Sequence, residues 1–428
     1  MRFLFKLTLK YELINIIAFF YFLKTKKVFK SNSKKKINVL ALNHNRFLDV
    51  LKVIDQNSDF QILALPFSWQ SRFLLFFYDD ADRKNIGLKS MNKEVQSKFY
   101  NFLKIFLNKY YKLAKINLVI GAAIHYKQDV DWGNVSKIVG VPYVVLHKEN
   151  LYAAEQHIKN IRNKLRKRQE FQGSHAIVHN EVVKKTWLES KFIDNKDISV
   201  CGKLIKSATR LSPENYFFDL VFFSFGPGVS ISNEHTNMFP EKRHPGFHDL
   251  CKVTHLEVIN FAIKNPSKKV IIKPKWGERW IDYIYNLAHK ENINLKEITN
   301  LTIDEKFNSF NIIENSSVII SFNSTTVLEA AIKNKYVIIP YFEEAKKDLK
   351  NYVQFKNYFD LFEIARSAKE LHSKINLGLK NPKKHISLLK KRIDLYEQLV
   401  SSVEDNQIEK CIRILKKQMQ NNTLKQLY

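Results

Sequence analysis

The sequence predicts an α/β protein: two doubly wound, Rossmann-like domains facing a cleft, with helices at the C-terminal end. Three observations predict it. The chain has 428 residues, more than one ordinary hydrophobic core accommodates. Short apolar runs alternate with helical patterns along most of its length. Most of those runs are continuously apolar, as parallel strands must be when helices cover both faces of their sheet. No repeat, low-complexity tract or long flexible linker interrupts the pattern.

The first 35 residues read as an amphipathic, basic helical segment. Their longest uncharged run, LINIIAFFYFL, is too short to cross a bilayer, which takes about 20 apolar residues. A basic start followed by an apolar run has the look of a signal peptide, but no small-residue cleavage site follows. Lysines and aromatics around the run fit a helix lying on a membrane surface. A first helix packed on the protein itself is the alternative.

Residues 36–206 form the first domain. Its strands are INVLALN (37–43), FQILALP (60–66), INLVIGAA (116–123), PYVVLHKE (142–149), HAIVHN (175–180) and ISVCG (198–202). Helical stretches such as 91–113 and 151–171 separate them. The polar, Pro-containing SATRLSPENYF (207–217) reads as the boundary. The second domain, 216–362, opens with DLVFFSF (219–225). It continues with KVIIKPK (269–275), a weak run at NLTID (300–304), VIISF (318–322) and YVIIP (336–340). From 363 to 428 the pattern is helical without strand signals, with Leu388, Leu389, Ile393, Leu395 and Leu399 at helical spacing.

A formal charge of +28 invites a nucleic-acid reading, but Arg supplies only 13 of the 70 basic residues and the lysines are spread along the chain. That distribution fits anionic headgroups or an anionic substrate better, and nucleic acid is not the expected partner. Cys201, Cys251 and Cys411 form neither a disulfide framework nor a C-x-x-C pair, which suits a reducing cytoplasm.

Ligands of doubly wound sheets bind beyond the carboxyl ends of strands, so the chemistry is sought there. The stretch VIISFNSTTVLEAAIKNKYVIIPY (318–341) ends a strand at Asn323 and starts a helix with Ser324, Thr325 and Thr326. Glu329 follows one turn in. Hydroxyls at a helix start with a carboxylate one turn later suit a diphosphate and a ribose. Thr326-x-x-Glu329 also fits a capping box, a purely local role. Lys273 and Lys275 follow the strand KVIIK, placed to neutralise a leaving diphosphate or simply to sit in a solvated basic turn. Gly226 and Gly228 follow VFFSF, where missing side chains permit close backbone approach. His235, His244, His248, His255 and Arg243 come next. His244-x-x-x-His248 has metal spacing, but no Cys pair or H-E-x-x-H accompanies it, so no metal is expected.

In the first domain, LALNHNRFLDV (40–50) places Asn43, His44, Asn45, Arg46 and Asp49 at a strand end. A parallel sheet would bring Gly121, His125 and Asp129 to the same edge, and His147 and Glu149 stand at a further one. A hydroxyl nucleophile needs a carboxylate or imidazole to take its proton, and Asp49, His44 and His125 are the candidates. Asn43, Arg46 and His147 are placed to meet the molecule that carries that hydroxyl.

The run SFNSTTVLEAAIKNKYVIIP resembles the C-terminal donor-site motif of GT-B glycosyltransferases, particularly the branch that makes capsule and other surface polysaccharides. The resemblance is imperfect where Asn334-Lys335-Tyr336 replaces the small residue before the last strand. Lys273-Pro274-Lys275 and the segment 203–210 are similar to strand ends of the same branch. The motif covers about 25 residues. The resemblance implies that Glu329 holds the donor's ribose and that Ser324 and Thr325 face its phosphates. It implies metal-independent transfer from a nucleotide-activated sugar, a substrate and not a cofactor, to a glycan or lipid-linked acceptor. Transfer would take place in the cytoplasm, at the inner face of the membrane. The rivals are a CDP-polyol phosphotransferase or a nucleotide-sugar 2-epimerase on the same scaffold, and a non-catalytic basic membrane- or RNA-binding protein.

Overall fold

The structure, a computed structural model, describes residues 13–30, 37–148, 151–204, 217–231, 238–275, 277–403 and 406–426. The chain divides into two compact units. Unit 1 comprises Met1–Asn150, Arg162–Ala208 and Glu404–Tyr428; unit 2 comprises Leu151–Ile161 and Thr209–Val403.

Unit 1 begins with α1 (Ile14–Lys24) and holds seven strands: β1 (Lys26–Lys27), β2 (Ile37–Ala41), β3 (Phe60–Ala64), β4 (Ile116–Gly121), β5 (Tyr143–Leu146), β6 (His175–Val178) and β7 (Ile198–Val200). Their order is β1-β3-β2-β4-β5-β6-β7. All pairings are parallel except β1 on β3, where Lys26 faces Ala64. The connecting helices are α2 (Leu48–Gln56), α3 (Phe67–Phe77), α4 (Asp80–Asn85), α5 (Lys93–Ala114), α6 (Lys127–Ile138), α7 (Glu155–Arg166), which begins in unit 2 and enters unit 1 at Arg162, and α8 (Glu181–Glu189). The long α5 shows why such segments are helical. Asn92 caps it by accepting from the Glu94 and Val95 amides, and Phe99, Phe102, Leu103, Phe106, Leu107, Tyr110 and Tyr111 recur on one buried stripe.

Neighbouring residues of β2 belong to different cores. Leu40 packs with Tyr21, Phe73, Phe106 and Trp132, whereas Val39 and Ala41 pack with Phe47, Ile54 and Leu415. Both faces of the sheet are therefore covered, which is the physical reason for the continuous apolar runs.

Unit 2 holds β8 (Phe218–Phe223), β9 (Val270–Lys273), β10 (Leu301–Ile303), β11 (Ser316–Ser321), β12 (Tyr336–Pro340) and β13 (Glu363–Ala365). They form an all-parallel sheet in the order β10-β9-β8-β11-β12-β13. Its helices are α9 (His248–Lys264), α10 (Arg279–Lys290), α11 (Ser309–Glu314), α12 (Thr325–Ala331), α13 (Ala368–Lys380) and α14 (Leu389–Leu399). The last helix, α15 (Gln407–Gln426), returns to unit 1, where Cys411, Ile412 and Leu415 join the core and Lys416 pairs with Asp59 at 2.9 Å.

Both sheets are doubly wound, as the continuous apolar runs predict. Four expectations are corrected. The first 35 residues are not wholly helical: β1 adds an antiparallel edge strand. Residues 363–428 do carry a strand, β13, on β12. Nor does that stretch behave as one block, because 404–428 belongs with unit 1. Residues 151–161, read as part of the first domain, cluster with unit 2. Of the expected boundary at 207–217, residues 207–216 lie outside the described residues.

Candidate functional site

Strand order locates the places to look. In unit 2 the chain runs from β8 outward to β9 and β10, then reverses to β11 on the other side of β8. The loops leaving β8 and β11 therefore flank a switch point, the place where doubly wound sheets bind ligands. These are the loops that carry Gly226 and Gly228, and Asn323, Ser324 and Thr325. Unit 1 has the same device: β2 leads to β3 on one side and β4 on the other. The loops leaving β2 and β4 carry Asn43, His44 and Arg46, and His125.

At the unit 2 edge, Asn323 adopts a left-handed conformation (φ 49°) as the chain leaves β11. Its side chain is committed to the fold: Nδ2 donates to the Tyr352 carbonyl at 3.0 Å and Oδ1 accepts from the Gln354 amide at 2.8 Å. Gln354 in turn accepts from the amides of Ala153 and Ala154, both at 2.9 Å. The turn puts Ser324 in an extended conformation, and Ser324 becomes the cap of α12, its Oγ accepting from the Thr326 amide at 3.3 Å.

This corrects the capping box. Thr326 lies inside the helix, donating its hydroxyl to Ser324 Oγ at 2.9 Å and meeting Ser321 Oγ at 2.7 Å. Glu329 sits too far along to reach back to the helix start. It is half-buried, and its charge adds to burial in raising the phenol pKa of Tyr396 on α14.

The Gly226-Pro227-Gly228 turn is held by its own chain. Met238 O accepts from the Gly228 amide at 3.1 Å, and a β-carbon on Gly226 would stand 2.5 Å from that same oxygen. The close approach that requires glycine is thus made by backbone within the loop. Behind the turn, Trp280 Nε1 donates to Ser224 Oγ at 2.7 Å, and Ser224 Oγ pairs with His255 Nε2 at 2.7 Å. His255 Nδ1 lies 2.7 Å from the Cys251 carbonyl. Burial lowers the His255 pKa to about 4, so this ring is a neutral structural link.

Lys273 and Lys275 have different environments. Lys273 is buried, with Nζ donating to the Glu305 carbonyl at 2.8 Å, and burial lowers its pKa; Lys275 is exposed. His244 and Arg243 are exposed, and His248 reaches the His244 carbonyl at 3.0 Å with its ring. His235 and Glu149 lie outside the described residues. Among the described residues, no three His, Cys, Asp or Glu side chains converge as a metal site.

Glu344 was not anticipated. Its carboxylate accepts from the amides of Asp249 and Leu250 at 2.8 and 3.0 Å, filling the start of α9 with an internal anion. Asn308 likewise caps α11.

At the unit 1 edge the structure groups imidazoles and cations. The His125 ring lies 4.5 Å from Tyr126 and 6.3 Å from His147. The Arg46 guanidinium sits 5.8 Å from the Tyr126 ring, and Lys148 Nζ donates to the Arg46 carbonyl. His147 is buried with its ring against Trp187 at 4.8 Å. His44 is half-buried, and that burial lowers its pKa and favours the neutral ring. Asp49 stands exposed in the first turn of α2, its Oδ1 accepting from the Val50 amide at 2.9 Å.

Asn43, at the same strand end, starts a buried polar chain. Gln70 Oε1 accepts from the Asn43 amide at 2.9 Å, and Gln70 Nε2 donates to Asp129 Oδ1. Asp129 is fully buried, and burial pushes its carboxyl up to about 8 despite that hydrogen bond. Among the described residues, Asn43 Nδ2 and Asp129 Oδ2 have no hydrogen-bond partner. Gln70, Glu344, Gln354 and Tyr396 gave no sequence signal, because each acts on a residue tens of positions away. Tyr126 and Lys148 lie within strand-end stretches already singled out.

No protein-family model and no curated protein sequence matches the chain. Among solved structures it is similar to the UDP-GlcNAc 2-epimerase of Methanocaldococcus jannaschii, at 10% identity over 89% of this chain and 99% of that one, with a TM-score of 0.48. It is similar to a glycosyltransferase of Rickettsia africae, at 12% identity over 90% of this chain and 99% of that one, with a TM-score of 0.47. It is also similar to MurG of Acinetobacter baumannii, at 12% identity over 89% of this chain and 100% of that one, with a TM-score of 0.42.

Proposed function

We propose that this chain is a metal-independent GT-B glycosyltransferase. It moves a sugar from a nucleotide-activated donor to a glycan or lipid-linked acceptor, in the making of surface polysaccharide at the inner face of the cell membrane. One observation carries the reading. The two loops with donor-site character, 224–229 and 322–326, leave the two strands that flank the switch point of the unit 2 sheet.

In this reading the donor lies at the unit 2 edge. Glu329 accepts from its ribose hydroxyls, Ser324 and Thr325 face its phosphates, and the exposed Lys275 offsets charge on the leaving diphosphate. Asn323 and Lys273 serve by holding the loops in place. The acceptor lies at the unit 1 edge beside Asn43, Arg46 and His147. Its hydroxyl gives a proton to an imidazole, His125 or His44, as its oxygen attacks C1 of the sugar. The C1–O bond to phosphate breaks, and the nucleoside diphosphate leaves with the bonding pair. Asp49 is the weaker candidate for base, since its carboxylate turns toward its own helix start.

Thermal-shift measurements with UDP-, GDP-, CMP- and CDP-activated sugars test the reading, because a ligand that binds only the folded state raises its stability. One donor class should stabilise the wild type, and Glu329→Ala should lose most of that shift. Equal shifts in both proteins would remove Glu329 from the donor site. Incubating the donor alone should leave it unchanged; its isomerisation would make the protein an epimerase.

A further inference from the structure

We infer that the outer face of α1 is a docking surface for an anionic lipid bilayer. The inner face of this helix is fully used within unit 1. Ile17, Ala18 and Tyr21 are buried. The Tyr21 ring stacks on Phe73 at 4.9 Å and meets the edges of Trp69 and Phe106 at 5.0 Å each. Its hydroxyl donates to the Trp69 carbonyl at 2.9 Å.

The outer face is apolar apart from the exposed Asn15 at its margin. Ile16, Phe19, Phe20, Phe22 and Leu23 are 44, 49, 52, 37 and 55% exposed. Helical geometry places 16, 19, 20 and 23 on one arc opposite 17 and 21, with 22 at its margin. Singly exposed apolar residues need no explanation, but a contiguous arc of four large ones, with a fifth at its margin, marks a surface that something covers.

Charge identifies the occupant. Lys24, Lys26, Lys27 and Lys30 follow the arc and are all exposed. Pairing of β1 on β3 holds Lys26 and Lys27 at the sheet edge. The Arg72 guanidinium and the Lys24 ammonium lie 4.3 and 5.9 Å from the Trp69 ring, beside the helix. No acidic residue occurs from Leu13 to Leu48. A second copy of this chain would bring the same cations to the contact and repel it. An anionic bilayer supplies both parts of the match: hydrocarbon for the arc and headgroup charge for the rim. An eleven-residue helix is about 16 Å long, so it lies in the surface and does not cross it.

The test is co-sedimentation of the full-length chain with phosphatidylcholine vesicles, with and without phosphatidylglycerol. The wild type should bind the anionic vesicles, less so as salt rises. The face pair Phe20→Ser/Leu23→Ser should bind at least about tenfold more weakly. The rim triple Lys24→Gln/Lys26→Gln/Lys27→Gln should lose on the order of a hundredfold. Circular dichroism checks folding; should the face pair misfold, Leu23→Ser alone replaces it. A wild type left in the supernatant, or a face variant that binds as well as the wild type, overturns the inference. A wild-type dimer that the face substitutions split, with vesicle binding unchanged, would assign the face to a second copy. This deepens only the membrane part of the function proposed above. The assay contains no nucleotide sugar, so either reading can fail while the other stands.

Discussion

Asn43 and Asn323 hold corresponding positions in two different sheets. Each ends a strand beside a switch point, and each is left-handed, with φ of 51° and 49°. Their surroundings differ. The side-chain amide of Asn323 is used at both ends to hold segment 352–354, whereas the side-chain Nδ2 of Asn43 has no partner among the described residues. The same contrast runs through both edges. Unit 2 spends Asn323, Lys273, Ser224 and Glu344 on its own loops. Unit 1 gathers His125, His147, Arg46 and Lys148 at its edge, and its buried chain of Asn43, Gln70 and Asp129 keeps unmet hydrogen-bonding capacity among the described residues. The left-handed Asn is therefore a feature of the strand-to-loop turn. Whether its side chain serves the fold or a ligand is decided by what the rest of the chain brings to it.

The largest expected effect tests the unit 1 side. The folded state holds a proton on Asp129 up to about pH 8, whereas the unfolded chain releases it near the ordinary value of 3.8. The unfolded state thus binds fewer protons in this window, and this group's contribution to stability falls as pH rises from about 4 to about 8. Asp129→Asn should remove that slope. It should be more stable than the wild type by about 2–5 kcal/mol at pH 8, with the gap closing toward pH 4. Urea unfolding across pH measures it, and parallel profiles would mean that Asp129 is ionised and paired.

A slightly smaller effect separates the two asparagines directly. Asn323→Ala loses one buried and one partly buried hydrogen bond and the left-handed preference, and should cost about 3 kcal/mol in the unit 2 unfolding transition. Asn43→Ala loses only the backbone preference, about 1 kcal/mol. Equal costs would break the comparison.

The smallest effect concerns Ser324. Its hydroxyl is an ordinary cap in the unliganded fold, so Ser324→Ala should cost about 1 kcal/mol of stability. If Ser324 also faces donor phosphates, the variant should in addition show a weaker thermal shift with the donor. A stability cost without that second change would confine Ser324 to capping.

The strands missed in the sequence show where local reading stops. β1 is two lysines, a residue type depleted in strands, and it forms only because β3 offers an open edge. β13 begins with Glu363, a buried carboxylate that no strand pattern favours. Lys374 and Lys384 hold it at 2.6 Å each and keep its pKa low despite burial, with the His385 ring at 3.0 Å. These partners come from later in the chain. The capping box failed for a related reason. Its spacing was right, but the turn at Asn323 moved the helix start to Ser324.

By itself the sequence determined that the chain forms two parallel, doubly wound sheets, because continuous Val, Ile, Leu and Phe runs between amphipathic segments are stable only with both faces covered. It also determined which strand ends carry polar groups. Tertiary structure decided which of those groups are spent on the fold. Lys273 against Lys275, or Asn323 against Asn43, look alike along the chain. Only three-dimensional packing brings Glu305 to one lysine and segment 352–354 to one asparagine. A hydrogen bond between residues about 30 positions apart leaves no local pattern to read.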